Sequence, residues 1–406
     1  MSTTVDQFFL ALKKAGIPSV PDDFSVVSEA QIISRQAFEE IKTVVHVFEQ
    51  VTTRPSWQIG VTETMPEITQ HRRSESCFFS AWDFHIPPSE KPQIIEFNDN
   101  GSGLFYAGLI NEQYHLAFHA DQAIGIESPL SFVQLKEKIL ACIAQEIHHF
   151  FKSQPQGIFL ILEHAEVLQH SKFKEELYLL QKLLQDQGYE AVIGAPEETS
   201  YHNNQLLWQG KPVIFIINRT TDFLWETENF SNIRTAYLAD QSCYIAPNPF
   251  TYGTRSYKGL LEPLSLPDWD KKLGISSDER EILSKHIPET HILREENLEL
   301  IAKRKEEFIF KPAQGFAAQG LLNNRQVGRS RLRRLLKDNR GYVAQRKTPK
   351  SQLNDKNGKP MNLWVDLRVW AYQGEILALS GRASTRADGM DLSLPGGWVP
   401  TYVGQP

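Results

Sequence analysis

The apolar and polar positions divide this chain into three stretches of different rhythm. Near the N-terminus Val5, Phe8, Phe9 and Leu12 recur at helical spacing until Gly16-Ile17-Pro18 stops them. A second helix is predicted from about 28 to 51, opening after Ser28. Residues 77–85 then read as a strand closed by Pro87-Pro88, with the apolar run beginning at Ile94 as its hairpin partner. From about 131 helices and strands alternate: helix 131–152, strand 158–162, helix 171–187, strand 190–194 and an apolar run over 213–217. Such alternation argues for parallel βαβ units. The Pro/Gly-rich segment 245–258 is the best domain boundary, and a helix bearing Lys258 is expected to begin inside it. Beyond it come a polar helical stretch (277–306), a strand ending at Lys311, a Gly/Ala-rich loop and a basic helix (329–337). Strands follow at 342–346, 363–372 and 376–382. The chain closes on a glycine turn at 394–399, with no acidic strand after it.

Composition narrows the class. A chain of 406 residues suggests two or three domains, and 41% hydrophobic with 23% charged residues is the balance of a soluble globular protein. The net charge of −6 exerts no global pull on nucleic acid or anionic membrane. Cys77, Cys142 and Cys243 stand far apart and form no CxxC. With no signal-like N-terminus and no apolar run near the ~18 residues a span requires, a cytoplasmic protein is expected. The basic run Arg329–Lys337 keeps its leucines on one face and lacks interleaved aromatics, so it reads as a solvated face with no nucleic-acid partner.

The candidate chemistry clusters at strand ends. Glu96 and Asn98 are two apart on one strand, so both oxygens project from one face and can meet a hard cation such as Mg²⁺. Taken alone, the same residues also suit a strand ending in an Asn/Asp/Gly turn. If the hairpin forms, Asp83 lies near them; a hydrogen-bonded edge carboxylate is the alternative. Arg219 and Asp222 end an apolar strand, where open α/β sheets bind ligands. A local salt bridge would explain them equally. Lys311, which could instead be an ordinary strand-end lysine, precedes the loop Ala313–Gly320, whose small residues let backbone N–H groups approach a polyphosphate. It is not a Walker loop, since no Gly-Lys-Ser/Thr opens a helix. Asp366 and Arg368 share a strand face, with Arg382 following; a cross-strand ion pair is the plainer account. The adjacent His148 and His149 cannot share one helix face as a metal pair.

Taken together, Lys258 at a helix start, Lys311 before a glycine hairpin, Tyr342-Val343-Ala344-Gln345, Asp366-x-Arg368 and Arg382 resemble an ATP-grasp ligase. Glu96-x-Asn98 stands upstream of these elements instead of after them. That order resembles the circularly permuted members, eukaryotic-type glutathione synthetase and, more loosely, glutathionylspermidine synthetase. The resemblance implies an α/β fold of α+β lobes with an inserted Rossmann-like substrate domain. Residues 1–125 would carry the permuted metal-binding part, 126–250 the substrate domain and 251–406 the ATP-grasp lobes. Lys258, Lys311, Gln314, Gly315, Ala317, Gly320 and Gln345 would bind ATP, and Glu96, Asn98 and Asp366 would hold Mg²⁺. Arg368 and Arg382 would be catalytic; Asp83, Arg219 and Asp222 would face substrate.

The activity implied is C–N bond formation between a small-molecule carboxylate and an amine (or a thiol) through an acyl phosphate. A phosphotransferase and a non-catalytic nucleotide-binding protein are the alternatives, and a homodimer stays open. Two departures stand out. Gly315 lies near the place of the glutamate that precedes the glycine triplet in glutathione synthetase, and Ala81-Trp82 replace the arginine before the Asp83-type residue.

Overall fold

Strand β1 (Gln31–Ile33) occupies residues where the local pattern predicts a helix, because its partner lies at the other end of the chain. It pairs in parallel with β17 (Thr401–Val403), and the helix begins only at Arg35, behind a Ser34 cap that accepts from Ala37 N at 3.1 Å. The computed structural model describes residues 4–15, 25–88, 91–118, 130–151, 155–170, 173–239, 243–266, 271–315 and 320–404.

The hairpin predicted around Glu96 is present as β2 (Ala81–His85) and β3 (Gln93–Asn98). The helix that follows, Leu104–Phe118, carries no amphipathic signature, since residues 104–111 are buried without a break. Apolar residues all round such a helix leave no stripe to read.

The middle of the chain forms one mixed sheet. Strands β4 (Ile158–Leu162), β5 (Glu190–Gly194), β8 (Lys211–Asn218) and β9 (Tyr244–Ala246) are parallel, in the order β5-β4-β8-β9. The hairpin β6 (Thr199–His202) and β7 (Gln205–Trp208) joins antiparallel to the start of β8. The expected βαβ alternation is therefore met.

The predicted helical stretch 277–306 is broken. A helix Ser277–His286 ends before Pro288, β10 (Thr290–Ile292) follows, and a short helix takes Leu298–Lys303. β10 edges an antiparallel sheet with β12 (Tyr342–Arg346) in the centre and β11 (Phe308–Pro312) beyond it. The helix Arg329–Leu335 lays Leu332 and Leu335 into the core of this lobe and leaves its arginines exposed.

The central sheet draws on both ends of the chain. β14 (Pro360–Tyr372) and β15 (Glu375–Ser384) form a long hairpin, flanked by β13 (Ser351–Asn354) and β16 (Gly397–Val399). β2 pairs directly with β14, so residues 81–98 and 351–399 share one sheet. Trp82, Phe84, Leu367 and Val369 are buried with Ile41, Val44 and Phe48 of the helix Arg35–Thr52. Each such side chain contributes roughly 1.5–3 kcal/mol by leaving water, which pins the register and turns the intervening charged residues to the other face. Among the described residues, no helix is long and apolar enough to cross a membrane.

Candidate functional site

Residues opposite one another on adjacent strands share a face. Asp83 stands opposite Glu96 on one side and Arg368 on the other, and Arg382 stands opposite Asp366. All five line one cavity of about 1170 Å³, into which Lys258, Lys311 and Gln345 also project.

The acids and bases in this cleft are matched in detail. Arg368 donates to both Asp83 oxygens through Nε and Nη2, at 2.6 and 2.8 Å. Arg382 Nη2 lies 2.9 Å from Asp83 Oδ2, and Arg382 grips Asp366 through Nε and Nη2 at 3.0 and 2.8 Å. Burial works to raise the Asp83 pKa, but the Arg368 and Arg382 guanidiniums outweigh it and hold the carboxyl well below its usual range. Lys258 Nζ lies 3.0 Å from Glu96 Oε1 and donates to the Gly315 carbonyl. Burial again opposes ionisation of Glu96, and Lys258 with Lys311 brings its pKa below the ordinary value. Lys311 Nζ donates to Gln345 Oε1 at 2.7 Å and to the Ile95 carbonyl at 3.3 Å. Burial pulls Lys311 down to about 8, against the opposing charge of Glu96.

The predicted residues do not all meet there. Asn98 and Gly315 line the cleft, whereas Gln314 and Gly320 are not among its lining residues, and Ala317 lies outside the described residues. Gln314 N instead bonds the Arg340 carbonyl at 3.1 Å, and the Gly320 carbonyl accepts from Tyr342 Oη at 3.3 Å. Asp222 is used locally: its carboxylate accepts from Glu226 N and Thr227 N, both at 3.1 Å, and holds a turn.

Arg219 also has partners within the protein. It lines the cleft, but Nη2 donates to Ser102 Oγ at 2.8 Å and to Glu176 Oε2 at 3.3 Å, and the guanidinium sits 4.4 Å from the Phe79 ring centroid. Glu176 also accepts from Gly103 N and Phe105 N. Arg219 thus shares its charge with a buried carboxylate, while its Nη1 has no partner among the described residues.

Three cleft residues escape sequence reasoning. Glu163 follows β4 as Arg219 follows β8, so the strand-end rule that flags one flags the other. Its carboxyl accepts from His164 N at 2.9 Å, and burial pushes its pKa up to about 7. His85 bonds the Thr348 carbonyl at 2.7 Å, and burial lowers it to about 4, which keeps it neutral. Lys350 donates to the Gly389 carbonyl at 2.5 Å over the same cleft. Neither has a local motif.

The donor set can be tested against Mg²⁺. Among the described residues no three His, Cys, Asp or Glu side chains gather into a ready cage. Mg²⁺ that carries nucleotide phosphates needs only one or two protein oxygens, and Glu96 with Asn98 fits that requirement: both face the cleft, and the Asn98 carboxamide bonds no described residue. Asp366 fits less well than the sequence suggests, because both its oxygens accept from Arg382.

No protein-family model matches the chain, and no curated protein matches it by sequence. Solved structures do match in shape. A glutathione synthetase-like effector from Globodera pallida, solved in its apo form, superposes with a TM-score of 0.62 over 98% of this chain and 96% of that one, at 10% identity. A putative gamma-glutamylcysteine synthetase from Methylobacillus flagellatus superposes with a TM-score of 0.51 over 90% and 88%, also at 10% identity. At that identity the likeness is one of fold, and this chain has a mixed helix-and-sheet fold similar to those of synthetase-like proteins.

Proposed function

We propose that this protein is an ATP- and Mg²⁺-dependent ligase that joins a small-molecule carboxylate to an amine. The order of its elements is then that of a circularly permuted ATP-grasp enzyme, with residues 81–98 supplying the metal-facing strands of the sheet completed by 351–399. The observation that carries this reading is the approach of Lys258 and Lys311, from separate elements, to the carboxylate of Glu96 in one cleft. Two cations beside a single metal-type carboxylate suit a polyphosphate and its cation better than they suit a structural ion pair.

In the reaction, a substrate carboxylate oxygen attacks the γ-phosphorus of ATP, and ADP departs with the bonding pair. The amine then attacks the acyl carbon, phosphate leaves and the nitrogen loses a proton. Lys258 and Lys311 neutralise phosphate charge, and the Gln345 strand lies beside the nucleotide. Arg368 and Arg382 stabilise the phosphoryl group in transfer, with Asp83 and Asp366 fixing their planes. Glu96 and Asn98 would hold Mg²⁺, which supplies charge neutralisation on the phosphate oxygens.

The test is ADP release from Mg-ATP across a panel of amino acids, short peptides and polyamines. Release that requires both a carboxylate and an amine is the expected result. Release that needs no amine would mark a phosphotransferase, and absence of Mg-ATP binding by calorimetry would overturn the reading.

A further inference from the structure

Behind Asn98 lies a second, much smaller cavity of about 10 Å³ that shares Asn98, Asn100, Lys258 and Gly315 with the cleft. That is room for about one water molecule. Its lining includes Tyr252, whose buried hydroxyl has no partner among the described residues. The ring is held in place, stacked on Phe223 at 4.8 Å and 4° and edge-on to Tyr257 at 6.1 Å. Tyr252 opens a turn of π-helix, Tyr252–Ser256, closed by a 2.9 Å bond from Tyr257 N to the Tyr252 carbonyl. Such turns recur at functional sites because they re-aim side chains. Here the turn puts Tyr252 and Ser256 on the wall of the small cavity, with Lys258 just beyond.

Most other polar groups around the cavity are already committed. The Asp99 carboxylate accepts from Ser80 Oγ, Arg255 Nε and Ser256 Oγ at 2.8, 3.2 and 2.9 Å. Asn100 Nδ2 donates to the Thr220 carbonyl at 2.8 Å, which leaves its Oδ1 as an acceptor. The Asn98 carboxamide has no bond to any described residue, and Asn98 lines both the cavity and the cleft.

We propose that the small cavity holds one ordered water that accepts from Tyr252 Oη and from Asn98 Nδ2, making Tyr252 the positioning residue for the Asn98 carboxamide. With Nδ2 tied to the water, Oδ1 of Asn98 is turned to the cleft, where a metal bound to nucleotide phosphates would need it. The water keeps both protons to donate, one of them to Asn100 Oδ1. This inference rests on the Mg-ATP reading above. Outer partners that fix the orientation of a metal ligand typically change metal affinity by 10- to 100-fold.

The test is Tyr252→Phe, which removes one oxygen and keeps the stacked ring. Wild type and variant are compared by calorimetry with Mg-ATP and with ATP in EDTA, and by thermal melting without ligand. The expected result is Mg-ATP affinity about tenfold weaker, ATP affinity in EDTA unchanged, and unliganded melting unchanged or raised, since no protein bond is lost. Equal Mg-ATP affinity in the two proteins overturns the inference, as does equal weakening in EDTA or a lower melting temperature. If wild type itself gains nothing from Mg²⁺, the nucleotide reading fails first and takes this inference with it.

Discussion

Lys258 Nζ and Glu96 Oε1 meet at 3.0 Å although one residue follows a π-helical turn and the other lies in a hairpin near the start of the chain. The contact joins the two halves of the candidate site, and on the proposed reading it is the contact that nucleotide phosphates would rearrange. Replacing Lys258 by methionine is expected to weaken Mg-ATP binding by at least tenfold, since one charge-assisted phosphate contact is worth about 1.5–3 kcal/mol. Calorimetry on the purified variant checks this, with circular dichroism to confirm folding. Unchanged affinity would return Lys258 to a structural role.

The buried Lys311 predicts a pH dependence of definite sign. Its folded-state pKa, about 8, lies below the ordinary 10.5 because burial disfavours the cation. Between those values the unfolded chain binds more protons, so the contribution of this group to stability rises with pH from about 8 to 10.5. If Lys311 meets phosphate as proposed, nucleotide affinity should move oppositely and fall above pH 8, as the ammonium is lost. Lys311→Met should flatten both trends, which denaturant titrations and calorimetry over pH 7 to 10 would read.

Asp83 gives the mirror case. Its carboxyl, held low by Arg368 and Arg382, contributes stability that is present above the ordinary value of 3.8 and is lost as pH falls through its lower folded value. Asp83→Ala should be worse than acidification, because it leaves two partly buried guanidiniums facing each other. A loss of about 3–5 kcal/mol in urea unfolding is expected, in line with breaking a buried pair from one side. A loss below about 1 kcal/mol would show that the arginines are held apart by Asp366 alone.

Gly315 tests the loop without replacing a charged side chain. Its φ of +151° is one that side chains rarely adopt, while an added Cβ would meet only Pro312 Cβ at an ordinary 3.6 Å. Gly315→Val therefore costs conformational strain of order 1–3 kcal/mol at the carbonyl that Lys258 grips. ADP release should fall by at least tenfold while the melting temperature drops by only a few degrees. Full release with unchanged melting would remove the loop from the phosphate site.

Much of the architecture was legible in the sequence because it is written in local periodicity. The hairpin at Glu96, the βα alternation after 131, the strand before Lys311 and the long final hairpin are apolar runs or alternations bounded by turn residues, so local pattern reports them. The apolar residues between the charges of β2, β3, β14 and β15 also determined which face the charges would take. What depended on distant partners was not legible. β1 is a strand because β17 lies beside it, and Leu104–Phe118 shows no stripe because its residues 104–111 are buried all round.

In the site, local sequence nominated the residues, and the tertiary structure assigned their partners. Arg219 reads as a carboxylate grip from its own strand, and only the fold shows that Glu176, on the helix Lys174–Asp186, lies beside it. Asp366 reads as a metal ligand from its own strand, and only the fold shows that both its oxygens also accept from Arg382. A side chain's type and face follow from its own strand, but its free charge is what remains after every neighbour in space has been satisfied, and those neighbours come from elements that no local window spans.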